Sequence, residues 1–283
     1  MSQRKKSSDE LAFSDVLPLL SKISEDESVT VIGGQALNFW AEQSYERCVE
    51  FAPFTSGDLD LMGSVSAAAN AAARWDGKLL LPPKFDPAPV SAAVEVPLAG
   101  KKRLVQFLNG VFGLGATEAK RSSQKVEVAG VKFLVLDPIA CLESRVHNSY
   151  GLPGRHTDRE LQRVRLAIRI AHHRIQVVAK TQSRAALRMA ERILELASSD
   201  RALKLFVNDA IDLLEAVPRI GLPPAFYAER LTRAEQRLSD ERERFRKLIS
   251  KSALSGQTRT TVKIKKSSKR GAKRFGSVCS KPS

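Results

Sequence analysis

The stretch from Ser28 to Met62 constrains the fold of this chain more than any other. It opens with Ser28-Val29-Thr30-Val31-Ile32, a short β-branched run that suits a buried strand. Gly33-Gly34 ends that run, and Gln35-Ala36-Leu37-Asn38-Phe39-Trp40 begins a helical pattern. After a loop over residues 51–57, Asp58-Leu59-Asp60-Leu61-Met62 alternates polar and apolar, as a half-buried strand does. Strand, glycine turn, helix and second strand in this order point to an α/β domain.

The flanking segments extend that pattern. A helix is expected over residues 9–24, where Leu11, Val16, Leu19, Leu20 and Ile23 fall near one face and Pro18 limits its start. The alanine-rich stretch 65–74 favours a helix, followed by Lys78–Leu81 and a proline-rich loop from Pro82 to Pro89. Ala92–Leu98 and Arg103–Leu108 read as strands joined by a hairpin turn at Ala99-Gly100-Lys101. Lys125–Val128 and Val131–Leu136, joined at Ala129-Gly130, form a second pair. Asp137-Pro138 starts a helix, since Asp caps well and Pro is tolerated where no N–H partner exists. Gly151–Gly154 breaks the pattern.

From about Asp158 the chain is helical almost throughout. Leu161, Val164, Ile168, Ala171, Ile175 and Val178 recur at three or four, as do Tyr227, Leu231, Ala234 and Leu238; Pro218, Gly221 and Pro223-Pro224 separate the last helix from its predecessor. The expected organisation is an α/β domain over residues 1–154, a helical domain over 155–252 and a disordered basic tail over 253–283.

Charge sets the tail apart. The net charge is +15, yet residues 251–283 hold ten Lys or Arg and no acid, leaving 36 basic and 31 acidic side chains before them. A segment of that kind attracts polyanions such as RNA by counterion release; the plainer reading is a solvated end. Three widely spaced cysteines (Cys48, Cys141 and Cys279) offer neither a disulfide framework nor a zinc site. No apolar run is long enough to span a membrane, and MSQRKKSSDE is not followed by the apolar core of a secretory signal, so a cytoplasmic location is expected.

The chemistry concentrates at two features. On a strand, Asp58 and Asp60 point to one face and Leu59 and Leu61 to the other. Paired carboxylates repel unless a hard cation such as Mg²⁺ (or Mn²⁺) is shared between them, often with substrate phosphates. A Gly-Gly turn opening a helix brings backbone N–H groups close to a phosphate at the positive end of the helix dipole. Taken singly, an Asp-x-Asp is more often solvated, and a Gly-Gly is usually just a turn; their order and spacing give them weight.

With Thr55-Ser56-Gly57 ahead of Asp58-Leu59-Asp60-Leu61, and Gly33-Gly34-Gln35-Ala36-Leu37 before that, the chain resembles the nucleotidyltransferase-fold superfamily, most of all the abortive-infection toxin group of toxin–antitoxin systems. The likeness spans about residues 28–165. It implies a nucleotidyltransferase-like mixed sheet with flanking helices, followed by an all-helical C-terminal region. It further implies an NTP and Mg²⁺ as ligands, a hydroxyl acceptor such as RNA, and a cognate antitoxin as protein partner. The resemblance assigns Asp58 and Asp60 to metal and catalysis, and Gly33, Gly34 and Ser56 to the phosphates. Arg145 matches a position that often carries Lys in a later helix, and Arg155 with Asp158 matches an Arg-x-x-Asp element. One departure stands out: where the group places a third carboxylate, Val105-Gln106-Phe107-Leu108 carries Gln106. A carboxamide cannot take a proton from an acceptor and is a weaker ligand. Glu95 replaces it only if its side chain points the same way.

Three readings therefore stay open: an active transferase, a nucleotide- or nucleic-acid-binding protein whose catalysis has decayed, and a partner-binding module. His147, His156, His172 and His173 form no ligand pattern and suit surface or packing roles; Trp40 suits the core and Trp75 a surface turn. The arginines between Arg159 and Arg192 read mostly as a solvated helix face, with an RNA-binding wall as the sharper alternative.

Overall fold

A computed structural model describes residues 10–83 and 89–268, with side chains through Ser250. Its centre is a seven-stranded mixed sheet: β1 (Thr30–Ile32), β2 (Leu59–Met62), β3 (Lys78–Leu80), β4 (Val90–Leu98), β5 (Lys101–Leu108), β6 (Ser123–Val128) and β7 (Val131–Leu136). The spatial order is β3-β4-β5-β2-β1-β7-β6. β1 runs antiparallel to β2 and parallel to β7, and β2 runs parallel to β5, so the short central strands lie between two hairpins. Each hairpin turns on a left-handed pair, Ala99-Gly100 (φ 49° and 75°) and Ala129-Gly130 (φ 49° and 79°). Two-residue loops of this hand match the twist of the strands they join.

Helices flank the sheet: α1 (Phe13–Lys22), α2 (Gly33–Gln43), the single turn α3 (Tyr45–Cys48), α4 (Val65–Trp75), the short α5 (Ala116–Arg121) and α6 (Pro138–Gly151). Asp137 caps α6, accepting from the backbone N–H groups of Ile139 and Ala140 at 2.8 and 2.9 Å. Pro18 lies inside α1 rather than at its start, and the helix is held by burial of Phe13, Val16, Leu19 and Leu20. Trp75 is buried, not at a surface turn: it closes α4, and its Nε1 donates to the Leu19 carbonyl at 2.9 Å. That bond satisfies the one polar atom a buried indole carries. Trp40 lies in the core, as expected, with its Nε1 donating to the Leu136 carbonyl.

The C-terminal region is helical: α7 (Asp158–Ala179), α8 (Ser183–Ala197), α9 (Asp200–Asp209) and α10 (Thr232–Ser268), the last preceded by a π-helical turn at Phe226–Leu231. α7 packs on α6 and also reaches α2 and α3, so one continuous buried core joins the sheet layer to the helical layer. α10 continues past Ser252, where composition alone places the start of the tail. Residues 269–283, with most of the tail's later basic residues and Cys279, lie outside the described residues, as do 84–88 of the proline-rich loop. No described helix is long and apolar enough to cross a membrane.

Candidate active site

Register brings the site together. Asp60 pairs with Ile32 on one side and Gln106 on the other. The chain leaves β1 at Gly33 and therefore turns directly over the Asp60 side chain. Gly33 has φ +67°, and a Cβ built there would lie 2.6 Å from Asp60 Oδ2. Gly34 meets Ser56: a Cβ would lie 2.8 Å from the serine Cβ and closer still to its hydroxyl. Both glycines are thus required by close approach, Gly33 by its left-handed backbone as well. Asp60, Ser56 and the start of α2 meet at one point.

The loop ahead of β2 is held from several sides. Leu11 and Ser56 exchange backbone hydrogen bonds of 2.7 and 2.9 Å, and Thr55 Oγ1 donates to Glu10 at 2.7 Å. Gln35, wholly buried, donates from Nε2 to the Leu11 carbonyl at 3.2 Å. Arg163 Nη2 donates to the Thr55 carbonyl at 3.4 Å and Arg103 Nη1 to the Gly57 carbonyl at 3.2 Å. The segment before α1 and the start of α7 both clamp the loop that carries Ser56. Neither clamp was readable in the sequence.

β2 begins at Leu59, so Asp58 is the last residue of that loop rather than the first of the strand, and it is exposed. Asp60 is largely shielded and accepts no hydrogen bond from any described residue. Its pKa is pushed up to about 6, mainly by burial and then by the Asp58 charge, against the opposing fields of Arg145, Arg155 and Arg163. A shielded carboxylate with no donor, an exposed carboxylate beside it and glycine backbone in front fit a hard divalent cation. Among the described residues no group of three or more His, Cys, Asp or Glu side chains is arranged to hold a metal.

Gln106 shares the solvent-side face of the sheet with Asp60, one strand away and in register. Glu95 lies on that face too, but a strand further and opposite Leu104, where it takes an ion pair from Lys102 at 3.2 Å. The position level with Asp60 on β4 is Ala93, opposite Gln106. Glu95 therefore does not stand in for the carboxylate that Gln106 lacks.

Positive charge comes from α6, α7 and the loop between them. Arg145 is buried on α6 and donates from Nη1 to Glu160 Oε2 at 3.1 Å; Arg163 Nη1 donates to Glu160 Oε1 at 2.7 Å. Arg155, more than half exposed, stands 3.9 Å from the same carboxylate. Burial alone would raise the Glu160 pKa, but Arg145 and Arg163 outweigh it and hold the carboxyl below its ordinary value. Asp158 lies exposed in the first turn of α7, where its charge favours the helix N-terminus. The acid that α7 turns inward is Glu160, two residues on. Glu160 and Arg163 were hidden in a charged run that reads as a solvated face. Their only signal was the three-residue spacing that puts both on one side of α7.

Other residues behave as packing elements. Cys48 and Cys141 are buried and free, and burial pushes both thiols up, Cys48 to about 11. His172 bonds the Glu215 carbonyl and His156 lies 3.4 Å from Asp209. Several arginines are not solvated: Arg192 pairs with Glu143 and Glu118, and Arg165 bonds the Asp209 carbonyl. No protein-family model matches the chain, and no curated protein sequence matches it.

Proposed function

We propose that this chain binds a nucleoside triphosphate with Mg²⁺ (or Mn²⁺) at a nucleotidyltransferase-type site, and that the site is arranged to transfer the nucleotidyl group to a hydroxyl acceptor. The observation that carries this reading is the absence of a side chain at Gly33 and Gly34, where Asp60 and Ser56 would otherwise collide with it. That lets the start of α2 pass directly against Asp60 and Ser56, and a helix start beside a carboxylate is the combination a cation-bound polyphosphate needs. Asp58 and Asp60 would hold the cation, whose role is to neutralise charge on the phosphates. Ser56 and the backbone after Gly33 contact the phosphates. Arg145, Arg155 and Arg163 supply positive charge around Glu160. In the transfer, the acceptor oxygen bonds to the α-phosphorus, pyrophosphate leaves, and the hydroxyl proton passes to solvent. An RNA acceptor drawn in by the basic tail and an antitoxin as partner rest on the resemblance and on charge.

Gln106 favours a second reading, binding without transfer. The strand position beside Asp60 carries a carboxamide, and Glu95 is tied to Lys102. Incorporation of label from each NTP into total RNA separates the two, with the natural chain compared against Asp58→Ala/Asp60→Ala. Labelling that needs both aspartates and a divalent cation supports transfer. Saturable NTP binding without labelling supports the second reading. Gln106→Asp is the companion: it adds a carboxylate in register with Asp60, and a gain of labelling is expected.

A further inference from the structure

The far ends of α2 and α7 enclose a second cleft, of about 410 Å³, against β6 at the edge of the sheet. Ten residues of α7 separate Arg163 at the first site from His173 here, on the order of 15 Å at the helical rise per residue. The volume is in the range of small-molecule sites. Trp40 and Phe39 form its apolar wall, their rings set edge to face at 4.8 Å. The Arg174 guanidinium lies over the Trp40 ring, 5.6 Å from its centroid, and donates from Nη2 to Gln124 Oε1 at 2.9 Å. Its Nε is buried and has no hydrogen-bond partner, and Arg174 ion-pairs with no described carboxylate. The one acid at the cleft, Glu127, is exposed. A partly buried guanidinium with no counter-ion is costly unless a ligand supplies the anion.

His173 adds a second polar contact. Its Nδ1 lies 2.9 Å from the Ser44 hydroxyl. Burial, then the charges of Arg47, His172, Lys180 and Arg174, lower its pKa and favour the neutral ring. A neutral imidazole accepts or donates one hydrogen bond without repelling the neighbouring guanidinium.

We propose that this cleft binds a small planar ring carrying one anionic group, the ring against Trp40 and Phe39 and the anion on Arg174. A nucleoside monophosphate and an aromatic carboxylate share that chemistry. Aromatic surface beside a guanidinium that has no acid partner suits a flat anionic ligand.

Trp40 and Trp75 are the chain's two tryptophans, and Trp75 is buried and does not line the cleft, so fluorescence change reports on Trp40. The test uses the full chain carrying Asp60→Ala, which removes the first site's carboxylate. The probes are AMP, benzoate, adenosine and inorganic phosphate. AMP or benzoate should give a saturable change, with adenosine and phosphate each roughly tenfold weaker or more, since a charge-assisted bond is lost or the ring is missing. The stronger of AMP and benzoate identifies the anion. Arg174→Ala should weaken the binding roughly tenfold, and Arg174→Lys should restore part of it, with thermal melting unchanged. If Arg174→Ala does not fold, Arg174→Gln, which can keep the Gln124 contact, takes its place. Equal binding by the Arg174 variants, equal binding of adenosine, equal binding of phosphate, or no saturation by either ring anion would overturn the proposal.

Discussion

Asp60 carries a cost to stability in a single buried carboxyl group. Its folded pKa of about 6 lies above the ordinary 3.8. Below the ordinary value both states are protonated and nothing is lost. As pH rises through the window up to about 6, the unfolded chain ionises more readily than the folded one, and stability falls to a plateau. The shift corresponds to a penalty of up to about 3 kcal/mol without metal. Asp60→Asn is therefore expected to raise stability by about 1–3 kcal/mol near neutral pH in urea melts, and to leave stability unchanged at low pH. A cation on the ionised pair reverses the natural chain's penalty, so Mg²⁺ should raise the melting temperature above pH 6 and have little effect well below it.

Gly34 makes the companion case. Its Cβ would lie 2.8 Å from that of Ser56, and no flexible side chain is available to move aside. Gly34→Ala is expected to cost about 1–3 kcal/mol by denaturant unfolding, as overpacking does. The double variant Gly34→Ala/Ser56→Gly should recover most of it, which marks the cause as contact rather than backbone.

At the scale of elements, α6 and α7 are joined by one carboxylate. Glu160 serves Arg145 from one helix and Arg163 from the other. Glu160→Ala would leave two shielded guanidiniums without their carboxylate, and a loss of about 3–5 kcal/mol is expected. Circular dichroism melts check the magnitude. If the loss were under about 1 kcal/mol, the cluster would be behaving as a surface pair. This cluster also shows where sequence legibility stops. The strands, both hairpin turns and the α6 cap follow from local patterns: β-branched runs, Gly at left-handed positions and a carboxylate before Pro138. Local rules decide these. The placement of Arg163 against Thr55 and the Leu11–Ser56 bridge depend on pairs 108 and 45 residues apart in the chain, and the burial of Glu160 depends on Arg145 in the preceding helix. Charge in a helix reads as solvated unless its partner is known, and Trp75 was misplaced for the same reason: its fate depended on α1. The short α5 went unseen because six residues carry too little periodicity to register.

For the whole molecule, the sheet and the helical layer share a core, and the candidate site draws side chains from both. The charge excess is placed differently along the chain: ten of the basic residues lie in 251–283. Removing residues 251–283 is expected to leave the melting temperature and NTP binding nearly unchanged. It should flatten the salt dependence of RNA binding, because fewer counterions are displaced. Filter binding over a salt series reads this directly. The measurement that bears most closely on the central claim is calorimetric titration of ATP and GTP with and without Mg²⁺, for the natural chain and for Asp58→Ala/Asp60→Ala. Saturable, Mg²⁺-dependent binding that weakens roughly tenfold or more in the double variant is the predicted result. Equal affinity in both chains, or binding indifferent to the cation, would contradict a shared metal between these two aspartates and the triphosphate.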